Sequence, residues 1–426
     1  MATLHIVGAG LAGLACAVAM VGRGWRVALY EAAPHAGGRC RSFYDHTLER
    51  RLDNGNHLMM SANRATLAYL ARIGASGTMI CPVEAAYPFV DLASGARWVL
   101  RPNQGSLPWW LLIPSRRVPG SRPIDYLSGL AIFCAGSDAT VAECIPRNHR
   151  LYRSFWEPLT LAALNCSPEM AAARPLGAVM RETFARGGRF CRPMIARDGL
   201  ASSLVEPALA LLAGHDESPR FGQRLRAVRF EGGRVCGLDF TGNGEAHGIT
   251  LGPDDMVVLA LPPSITGELL PGQIVPEDGH VIVNAHFRLE REPPPLPYGM
   301  PFIGVVGGAA HWVFVRGDVA SVTVSGASAM AEQPAAAIAD LLWRDVALAL
   351  ALPAGATPPA RIIKEKRATF VQSPANQRRR PETATRWSNL FIAGDWTATG
   401  LPCTIEGAIR SGNAAAAAVT GKANRP

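Results

Sequence analysis

The sequence predicts an α/β protein in which a parallel β-sheet and its helices alternate along the chain with a second, α+β unit. Three observations favour this fold class. A glycine-rich turn at residues 8–13 lies between two short apolar strands near the start of the chain. A hydrophobic strand that begins at Asn389 ends in Gly394-Asp395. Helix and strand patterns alternate between these two stretches.

The first 41 residues contain a strand, a glycine turn, a helix and a second strand that ends at an acid. The strand pattern at 4–7 runs directly into the glycine turn, and a helix predicted over 14–24 leads into the second strand at 25–30. A glycine turn alone is common in loops, so the flanking strands and the acid carry the argument. This order is typical of the βαβ unit of a Rossmann-like domain that binds a dinucleotide.

Each residue type in the glycine turn has a physical reason. Gly8 permits the tight turn, Gly10 lets the backbone approach a pyrophosphate, and Gly13 lets the helix pack closely on the strand. Leu11 and Ala12 lie between the last two glycines, where a helix N-terminus presents unpaired N–H groups to phosphate charge. We therefore expect these five residues to contact the dinucleotide.

An acid and a second glycine pair follow the second strand. Glu31 lies 18 residues after the last glycine of the turn. This is close to the position from which a carboxylate accepts hydrogen bonds from both ribose hydroxyls. The chain then leads from Ala32 to Gly37-Gly38 and the cation Arg39, where a nicotinamide enzyme would usually continue into a helix. A second glycine pair beside a cation suits a ligand whose pyrophosphate and flavin both pass near this loop.

This part of the chain resembles the FAD-binding amine oxidoreductase superfamily, which includes monoamine oxidases, protoporphyrinogen oxidases and carotenoid desaturases. The resemblance implies FAD as the cofactor. It also implies that a segment such as Asp53 to His57 lies close to the flavin, with Asn54, Gly55 and Asn56 contacting the cofactor. From the residues alone, a polar turn is an equally good interpretation. A metal site at His57 is not indicated, because no second histidine or carboxylate lies at ligand spacing.

A further cofactor signal lies near the C-terminal end. The strand that ends in Gly394-Asp395 can deliver the carboxylate to the ribityl or pyrophosphate region of the cofactor. A helix rich in small residues begins near Thr404 and Ile405. Its positive N-terminus can stabilise the negative charge of a reduced flavin. Cys403 raises the idea of a covalent flavin bond, but a small packing residue is the favoured interpretation.

The remaining patterns predict two interleaved domains. Residues 61–192 are mainly helical and form an insertion that could supply a substrate wall, although the helices of an ordinary core would look the same. A strand at 224–230 returns to the first domain, and in the resembling superfamily the backbone near Leu225 contacts adenine. We predict an FAD-binding domain over 1–60, 193–283 and 369–426, and a substrate-binding domain over 61–192 and 284–368.

Composition limits the classes of function. The chain has 426 residues, a formal net charge of +8 and a mean hydropathy of +0.11. Its basic residues are scattered and nearly all arginine, so no block is long enough to indicate a nucleic-acid partner. Nine cysteines without a CxxC pair indicate neither a disulfide framework nor a zinc site. Since we find no apolar run of 18 residues and no signal peptide, we expect a cytoplasmic protein.

One apolar stretch is a candidate membrane contact. Residues 107–114 read LPWWLLIP and are followed by Arg116-Arg117. These residues could equally well form a core beneath a loop. In the alternative, Trp109 and Trp110 lie at the headgroup level of a bilayer and the arginines contact its headgroups. The protein would then be peripheral on the inner face of the cell membrane.

Five segments resemble the hydroxysqualene dehydroxylase family, also called squalene-associated FAD-dependent desaturases, and together they span nearly the whole chain. They are YEAAPHAGGRCRS, DNGNHLMMSANRATLAYLARIGA, TVAECIPRNHRLYRSFWEPLTLAALN, KRATFVQSP and LFIAGDWTATGLPCTIEGAIRSG. The first and last would fit many flavin oxidoreductases, whereas WEPLTLAALN makes the match narrow. The resemblance implies an isoprenoid substrate, hydroxysqualene, whose hydroxyl is removed reductively in squalene and hopanoid biosynthesis.

The implied chemistry can be argued physically. Protonation of an allylic hydroxyl releases water, an allylic cation develops, and N5 of the reduced flavin delivers hydride to that carbon. An apolar pocket excludes water as a competing nucleophile. The candidate proton donors are Glu157, Asp53 and His57, because their surroundings could tune them for proton transfer. The electron donor stays open, since a reduced nicotinamide could react directly or through a partner.

Three other functions stay open on the sequence alone. A carotenoid or polyene desaturase would share every FAD motif and would move electrons from the polyene to the flavin. An amine oxidase is less favoured, because no aromatic pair near the C-terminal strand forms an obvious amine cage. A non-catalytic prenyl-lipid carrier could keep the same fold, but the intact glycine turn, Glu31 and Asp395 argue against it.

Overall fold

A computed structural model describes residues 1–242, 244–353 and 355–423. The predicted domain segments also include Asn243, Ala354 and residues 424–426, which lie outside the described residues. The strands are β1 (Thr3–Val7), β2 (Arg26–Tyr30), β3 (Ser42–Asp45), β4 (Arg50–Asp53), β5 (Met59–Met60), β6 (Met79–Ile80), β7 (Tyr87–Asp91), β8 (Arg97–Leu100), β9 (Pro193–Ala196), β10 (Arg224–Glu231), β11 (Arg234–Gly242), β12 (Glu245–Thr250), β13 (Met256–Leu259), β14 (Ile282–Arg288), β15 (Phe302–Val306), β16 (Trp312–Arg316), β17 (Val319–Val324), β18 (Ala360–Glu365) and β19 (Leu390–Ile392).

The α-helices are α1 (Leu11–Met20), α2 (Arg64–Arg72), α3 (Gly129–Phe133), α4 (Val141–Cys144), α5 (Glu157–Leu164), α6 (Ala173–Glu182), α7 (Glu206–Ala213), α8 (Pro263–Leu269), α9 (Ser328–Ala331), α10 (Ala335–Ala349), α11 (Pro374–Arg378) and α12 (Ile405–Ala423). Tyr152–Trp156 and Ala201–Val205 are π-helical. Short 3₁₀-helices span Gly38–Cys40, Ser76–Thr78, Trp109–Leu112, Pro114–Arg116, Pro123–Ser128, Phe184–Arg186, Gly188–Phe190 and Pro297–Gly299. This content of helices and strands confirms the predicted α/β class.

A four-stranded parallel sheet has the strand order β19-β13-β1-β2. Its central residues are apolar and buried, as expected for parallel strands that are covered on both faces. The four strands come from the beginning, the middle and the C-terminal part of the described chain. This parallel sheet therefore confirms the Rossmann-like, interleaved fold.

The first helix begins earlier than the sequence predicted. We expected it from residue 14, but α1 begins at Leu11 with Gly10 as its N-cap. The amide of Leu14 donates to the carbonyl of Gly10 at 2.9 Å, so the last residues of the glycine turn already form the first helical turn. α12 crosses α1 at close range, because a Cβ atom at Gly412 would lie only 2.2 Å from the carbonyl oxygen of Ala12.

A three-stranded antiparallel sheet, β10-β11-β12, shares a hydrophobic core with the parallel sheet. The ring of Tyr30 at the end of β2 stacks on Phe240 of β11 with a centroid separation of 4.7 Å. The sequence predicted β10 but not β12. Its residues, EAHGIT, are mostly exposed and lack an alternation of apolar side chains, so the usual strand pattern is missing.

The second unit is built on a seven-stranded mixed sheet of order β18-β14-β17-β16-β15-β7-β8. α10 packs on one face of this sheet against β14 and β17. The predicted start of the second segment of the substrate-binding domain, residue 284, lies within β14, which begins at Ile282 and pairs with β17 and β18. The domain boundaries stay predictions.

The opposite face of the seven-stranded sheet is covered by the helices and turns between residues 107 and 190. Alternate strand residues such as Phe89 and Phe302 point into this second core, which also contains Phe155 and Trp156. The predicted helical insertion therefore packs as a largely apolar cluster, and its role as a substrate wall stays a prediction. Within the described part of the chain, no helix combines the length and apolar character needed to cross a bilayer.

Candidate active site

The glycine turn has the geometry that its residue types predicted. Gly8 has φ of +105°, and its amide donates to the carbonyl of Tyr30 at 2.7 Å. A Cβ atom at Gly8 would lie 2.3 Å from the carbonyl oxygen of Ala260, and one at Gly13 would lie 1.9 Å from the carbonyl oxygen of Gly8. Gly10 differs, because a Cβ atom there would meet no protein atom within 4 Å. The space in front of Gly10 is therefore free for a ligand.

Glu31 lies directly beside this turn. One carboxylate oxygen accepts the amide of Ala9 and the other accepts the amide of Ala33, both at 2.8 Å. The backbone carbonyl of Glu31 accepts the amide of Gln223 at 2.8 Å. This last bond brings the start of β10, which contains the buried Leu225, to the end of β2. The structure thus brings the end of β2 next to the start of β10, and contacts of Glu31, Ala32 and Leu225 with a dinucleotide stay a prediction.

The second glycine pair packs against the first turn. The amide of Gly37 donates to the carbonyl of Ala9 at 2.8 Å, and Gly37 and Gly10 form an isolated β-bridge. Gly37 has φ of +102° and Gly38 has φ of +54°, a backbone conformation that other residues rarely adopt. The two glycine-rich stretches therefore form one continuous backbone surface.

Arg39 joins this surface to the C-terminal strand. Its Nη2 atom contacts both carboxylate oxygens of Asp395 at 2.8 Å, although the two residues are 356 positions apart. Asp395 is buried. The negative charge of Asp395 raises the pKa of Arg39 above its usual range, against the effect of burial. Both residues were predicted to contact the cofactor. The structure shows that their side chains form an ion pair with each other.

Arg380, which was not predicted from the sequence, shapes the loop after β19. Its guanidinium donates to the backbone carbonyls of Asp395, Thr397 and Leu401 at 3.0, 2.9 and 2.6 Å. It also donates to the Thr399 hydroxyl at 2.9 Å. Burial lowers the pKa of Arg380. Because Arg380 is the third of three consecutive arginines, the sequence offered no way to single it out.

Two buried side-chain amides, which were not predicted from the sequence either, connect this region to the C-terminal end of α5, where the WEPLTLAALN segment ends. Gln372 donates to the carbonyl of Leu164 at 2.7 Å and accepts the amide of Cys403 at 3.1 Å. Asn165, with φ of +50°, donates to the Thr369 hydroxyl at 3.1 Å. The segment that made the sequence match narrow therefore supports the loop around Cys403.

The N-terminus of α12 faces the same region. Thr404 caps the helix, because its hydroxyl accepts the amide of Gly407 at 3.0 Å, and Ile405 is the first helical residue. Glu406 is buried and accepts the amides of Ala65 and Thr66 at 3.0 and 2.8 Å, at the start of α2. Glu406, the acid in the first turn of α12, therefore binds the N-terminus of α2.

The segment from Asp53 to His57 connects the two units. Asn54 donates to Glu365 at 2.9 Å, and Asn56 donates to the Thr323 hydroxyl at 3.2 Å. Gly55 packs closely against β14, since a Cβ atom there would lie 3.1 Å from the side chain of Asn284. The polar groups of this segment therefore bind the seven-stranded sheet, a role that the sequence analysis did not foresee.

Asp53 is a poor candidate for the proton donor. Its buried carboxylate accepts the Ser42 hydroxyl at 2.5 Å, the amide of Leu200 at 2.8 Å and the Arg316 guanidinium at 2.9 Å. These three donors come from different segments, so the carboxylate holds β3, the residues after β9 and β16 together. The geometry indicates a structural role.

His57 and Glu157 differ in position and in charge. Burial lowers the pKa of His57 to about 4, and the nearby charges are those of Asp53, Arg39 and Asp395. His57 therefore lies among the predicted cofactor residues but is neutral at pH 7. Burial raises the pKa of Glu157, as does the negative charge of Glu169. Glu157 is the first residue of α5, and the charged groups that act on it, Glu169, Arg147 and Arg153, belong to the helical insertion and not to the predicted cofactor residues.

A cavity of about 300 Å³ lies where the segment at 50–56 meets the seven-stranded sheet. Its lining includes His286, Phe314 and Arg316. His286 is only 1% exposed, and its Nδ1 atom lies 2.7 Å from the Ser321 hydroxyl. Burial lowers the pKa of His286 to about 4, so it is neutral at pH 7.

The parallel sheet, the doubled glycine surface and the closure by Arg39 and Asp395 define a dinucleotide-dependent oxidoreductase of the flavin type. The family model described as flavin-containing amine oxidoreductase matches residues 11–420. A curated hydroxysqualene dehydroxylase from Sinorhizobium fredii is 44% identical over 97% of both chains, and one from Rhodopseudomonas palustris is 43% identical over 97% of both. The chain belongs to the flavin-containing amine oxidoreductase family and, within it, to the hydroxysqualene dehydroxylases.

Solved structures support the fold independently. A double mutant of putrescine oxidase, from a redesign of cofactor binding, superposes with a TM-score of 0.72 and covers 99% of each chain. Its sequence is only 17% identical to this chain, so the similarity concerns the fold alone. The chain is an oxidoreductase with a flavin cofactor, as its family shows.

Proposed function

We propose that this protein binds FAD and removes the hydroxyl group of hydroxysqualene reductively, which gives squalene. The observation that carries the proposal is the similarity to curated hydroxysqualene dehydroxylases over almost the full length of both chains. The narrow WEPLTLAALN segment supports it, because the structure places its end against the loop around Cys403. No contact in the described residues favours a polyene desaturase or a lipid carrier instead.

The residues of the candidate site fit FAD. The free space in front of Gly10 and the adjacent N-terminus of α1 suit a pyrophosphate. Glu31 is held where it can accept hydrogen bonds from a ribose, and Leu225 lies beside it for the adenine. We propose that Arg39 and Asp395 hold the flavin half, with the N-terminus of α12 beside the ring.

The proposed reaction balances without a metal. A proton and a hydride are consumed, the carbon–oxygen bond breaks, a carbon–hydrogen bond forms, and the hydroxyl leaves as water. Reduced FAD supplies the hydride when bound. The chain must supply the proton and exclude bulk water, and the apolar cluster around Phe155 and Trp156 suits the second task.

We propose Glu157 as the first proton donor to test, because burial and the charge of Glu169 favour its protonated form. Replacing Glu157 by Gln should lower kcat at least about tenfold and remove the fall in rate at pH values above the pKa of Glu157. Glu169→Gln is a second probe: its negative charge raises the pKa of Glu157, so its removal should shift that fall in rate to lower pH. A pH profile unchanged in Glu157→Gln would exclude this residue and return attention to His57.

The direct test is anaerobic. The photoreduced holoprotein is mixed with hydroxysqualene, flavin reoxidation is followed by absorbance, and the product is identified by mass spectrometry. Reoxidation with a matching amount of squalene is expected. A flavin that stays reduced, together with bleaching of the oxidised protein by a polyene hydrocarbon, would favour a desaturase. A purified protein without flavin absorbance would favour a carrier.

Each turnover uses two electrons, so a reductant must restore the reduced flavin. We propose a reduced nicotinamide as this donor. Stopped-flow mixing of the oxidised holoprotein with reduced nicotinamide should bleach the flavin. If bleaching requires a cell extract, the electrons come through a partner protein.

A further inference from the structure

An apolar surface patch lies on the outer side of the helical insertion. Its members are exposed hydrophobic side chains from two neighbouring segments: Leu107, Trp109, Leu112, Ile113, Ile124, Leu127 and Leu130. They are seven of the sixteen large hydrophobic side chains that are exposed in the described residues. Leu107, Leu112 and Ile124 are 76%, 69% and 63% exposed. Such a concentration indicates an interaction surface rather than chance exposure.

Buried neighbours hold the two segments of the patch together. Trp110 is buried and packs edge-to-face on Tyr126 with a centroid separation of 5.6 Å. Asn103 fixes the first segment, because its side chain accepts the amide of Trp110 at 3.2 Å and donates to the carbonyl of Leu107 at 2.9 Å. The two tryptophans that were predicted to contact a bilayer therefore differ: Trp110 is buried and anchors the loop, whereas Trp109 is 44% exposed. The apolar patch is presented by ordered backbone.

The segments that carry the patch are basic. Residues 101–130 contain four arginines and a single acid, Asp125. That acid is buried and is paired with Arg122 at 3.2 Å. The guanidinium carbon of Arg116 lies 5.0 Å from the ring centroid of Trp109, at the edge of the patch. The patch therefore combines apolar side chains with a neighbouring positive charge.

We propose that this patch docks on the surface of an anionic lipid bilayer. Large aliphatic side chains fit the acyl region, tryptophan fits the interface, and arginines fit anionic headgroups. Beneath the patch, Trp110 and Tyr126 belong to the same apolar core as Phe155 and Trp156. If the proposed function holds, an isoprenoid dissolved in the bilayer would enter beside this core. Docking itself does not depend on that reaction.

The test measures binding of the FAD-loaded protein to vesicles by co-sedimentation. Wild type should bind vesicles that contain phosphatidylglycerol more tightly than vesicles of phosphatidylcholine alone, and added salt should weaken the difference. The triple variant Leu107→Ser, Leu112→Ser, Leu127→Ser should lose at least about tenfold in affinity. The matched control is Ile274→Ser with Leu348→Ser, whose side chains are similarly exposed, at 64% and 59%, but lie outside the patch. The control should bind like wild type.

A second readout separates docking from catalysis. The triple variant should act on detergent-dispersed hydroxysqualene like wild type and lose activity only on substrate embedded in vesicles. Equal vesicle binding by wild type and the triple variant would overturn the proposal. So would a wild-type protein whose affinity for anionic vesicles is no higher than for phosphatidylcholine vesicles. Loss of a dimer in the variant, without any change in vesicle binding, would show that a second copy covers the patch instead. If no squalene forms in any assay but vesicle binding follows the patch, the proposed reaction fails and docking stands.

Discussion

Replacing Gly10 by Ala should separate cofactor binding from stability. Gly10 has φ of −71° and ψ of 176°, a conformation that alanine adopts without strain. Its Cβ atom would meet no protein atom within 4 Å. The free energy of unfolding of the cofactor-free protein should therefore stay constant or rise by ~0.4–1 kcal/mol. The new methyl group would occupy the space proposed for the pyrophosphate. Overpacking there should weaken the free energy of FAD binding by ~1–3 kcal/mol, which corresponds to an affinity about five- to 150-fold weaker.

Gly13→Ala is the matched comparison, because its Cβ atom would lie 1.9 Å from the carbonyl oxygen of Gly8. That contact must be relieved by moving backbone, so this variant should lose both stability and FAD binding. Urea unfolding followed by circular dichroism measures the first quantity in the cofactor-free proteins. Quenching of FAD fluorescence on titration measures the second.

Two results would refute the reasoning. If Gly10→Ala destabilises the cofactor-free protein as much as Gly13→Ala, the space in front of Gly10 is not open. If Gly10→Ala binds FAD as tightly as wild type, the pyrophosphate does not approach the turn at this residue. Either result would require another position for the cofactor.

Three further predictions concern charged and titratable groups. Glu31→Ala should weaken FAD affinity at least about tenfold, since a ribose acceptor is lost; unchanged flavin content would refute that role. Arg380→Met should lower the free energy of unfolding by ~3–5 kcal/mol, because three backbone carbonyls lose a charged donor. Arg379→Met, unfolded in parallel, is the control: it removes only a surface ion pair with Glu277 and should lower the free energy of unfolding by no more than ~1 kcal/mol. His286 takes up a proton more readily in the unfolded chain, so stability should fall as pH drops through the window from 6.5 towards 4, by ~2 kcal/mol between pH 7 and pH 5. His286→Gln should lose this share of the pH dependence, while His57 and His311, whose pKa values burial also lowers to about 4, keep theirs. The exposed control His46→Gln should keep the full dependence, and identical pH profiles for all three proteins would contradict the assignment.

The parts of the site that were predicted from the sequence are those defined by local backbone. The glycine turn, Glu31 and the second glycine pair lie within one short stretch, and each glycine has a steric reason that a sequence pattern can represent. The strand at Asn389 was predictable for the same reason, since it is apolar and ends in Gly-Asp. The structure brings these stretches together as expected.

The parts that were missed depend on contacts between distant segments. Arg380 is chemically the same as its two neighbours in sequence, and only the fold directs it into the loop after β19. Asn165 and Gln372 are buried because they satisfy backbone groups of other segments, and such pairing leaves no periodic pattern. β12 was missed because exposed strands at the edge of a sheet need no apolar alternation.

The proton donor illustrates a different limit. Asp53, His57 and Glu157 were chosen by residue type, but their suitability depends on surroundings that the sequence does not show. The hydrogen bonds of Asp53, the low pKa of His57 and the raised pKa of Glu157 are all properties of the folded chain.

The pair between Arg39 and Asp395 also constrains how the protein is made. During synthesis, Arg39 leaves the ribosome long before its partner, because 356 positions separate them. Until β19 is added, β13 is an unprotected edge of the parallel sheet, and unpaired edges invite aggregation. Flavin capture should therefore be a late event that follows release of the chain. Cells that produce this protein faster than they supply flavin should accumulate open, aggregation-prone chains.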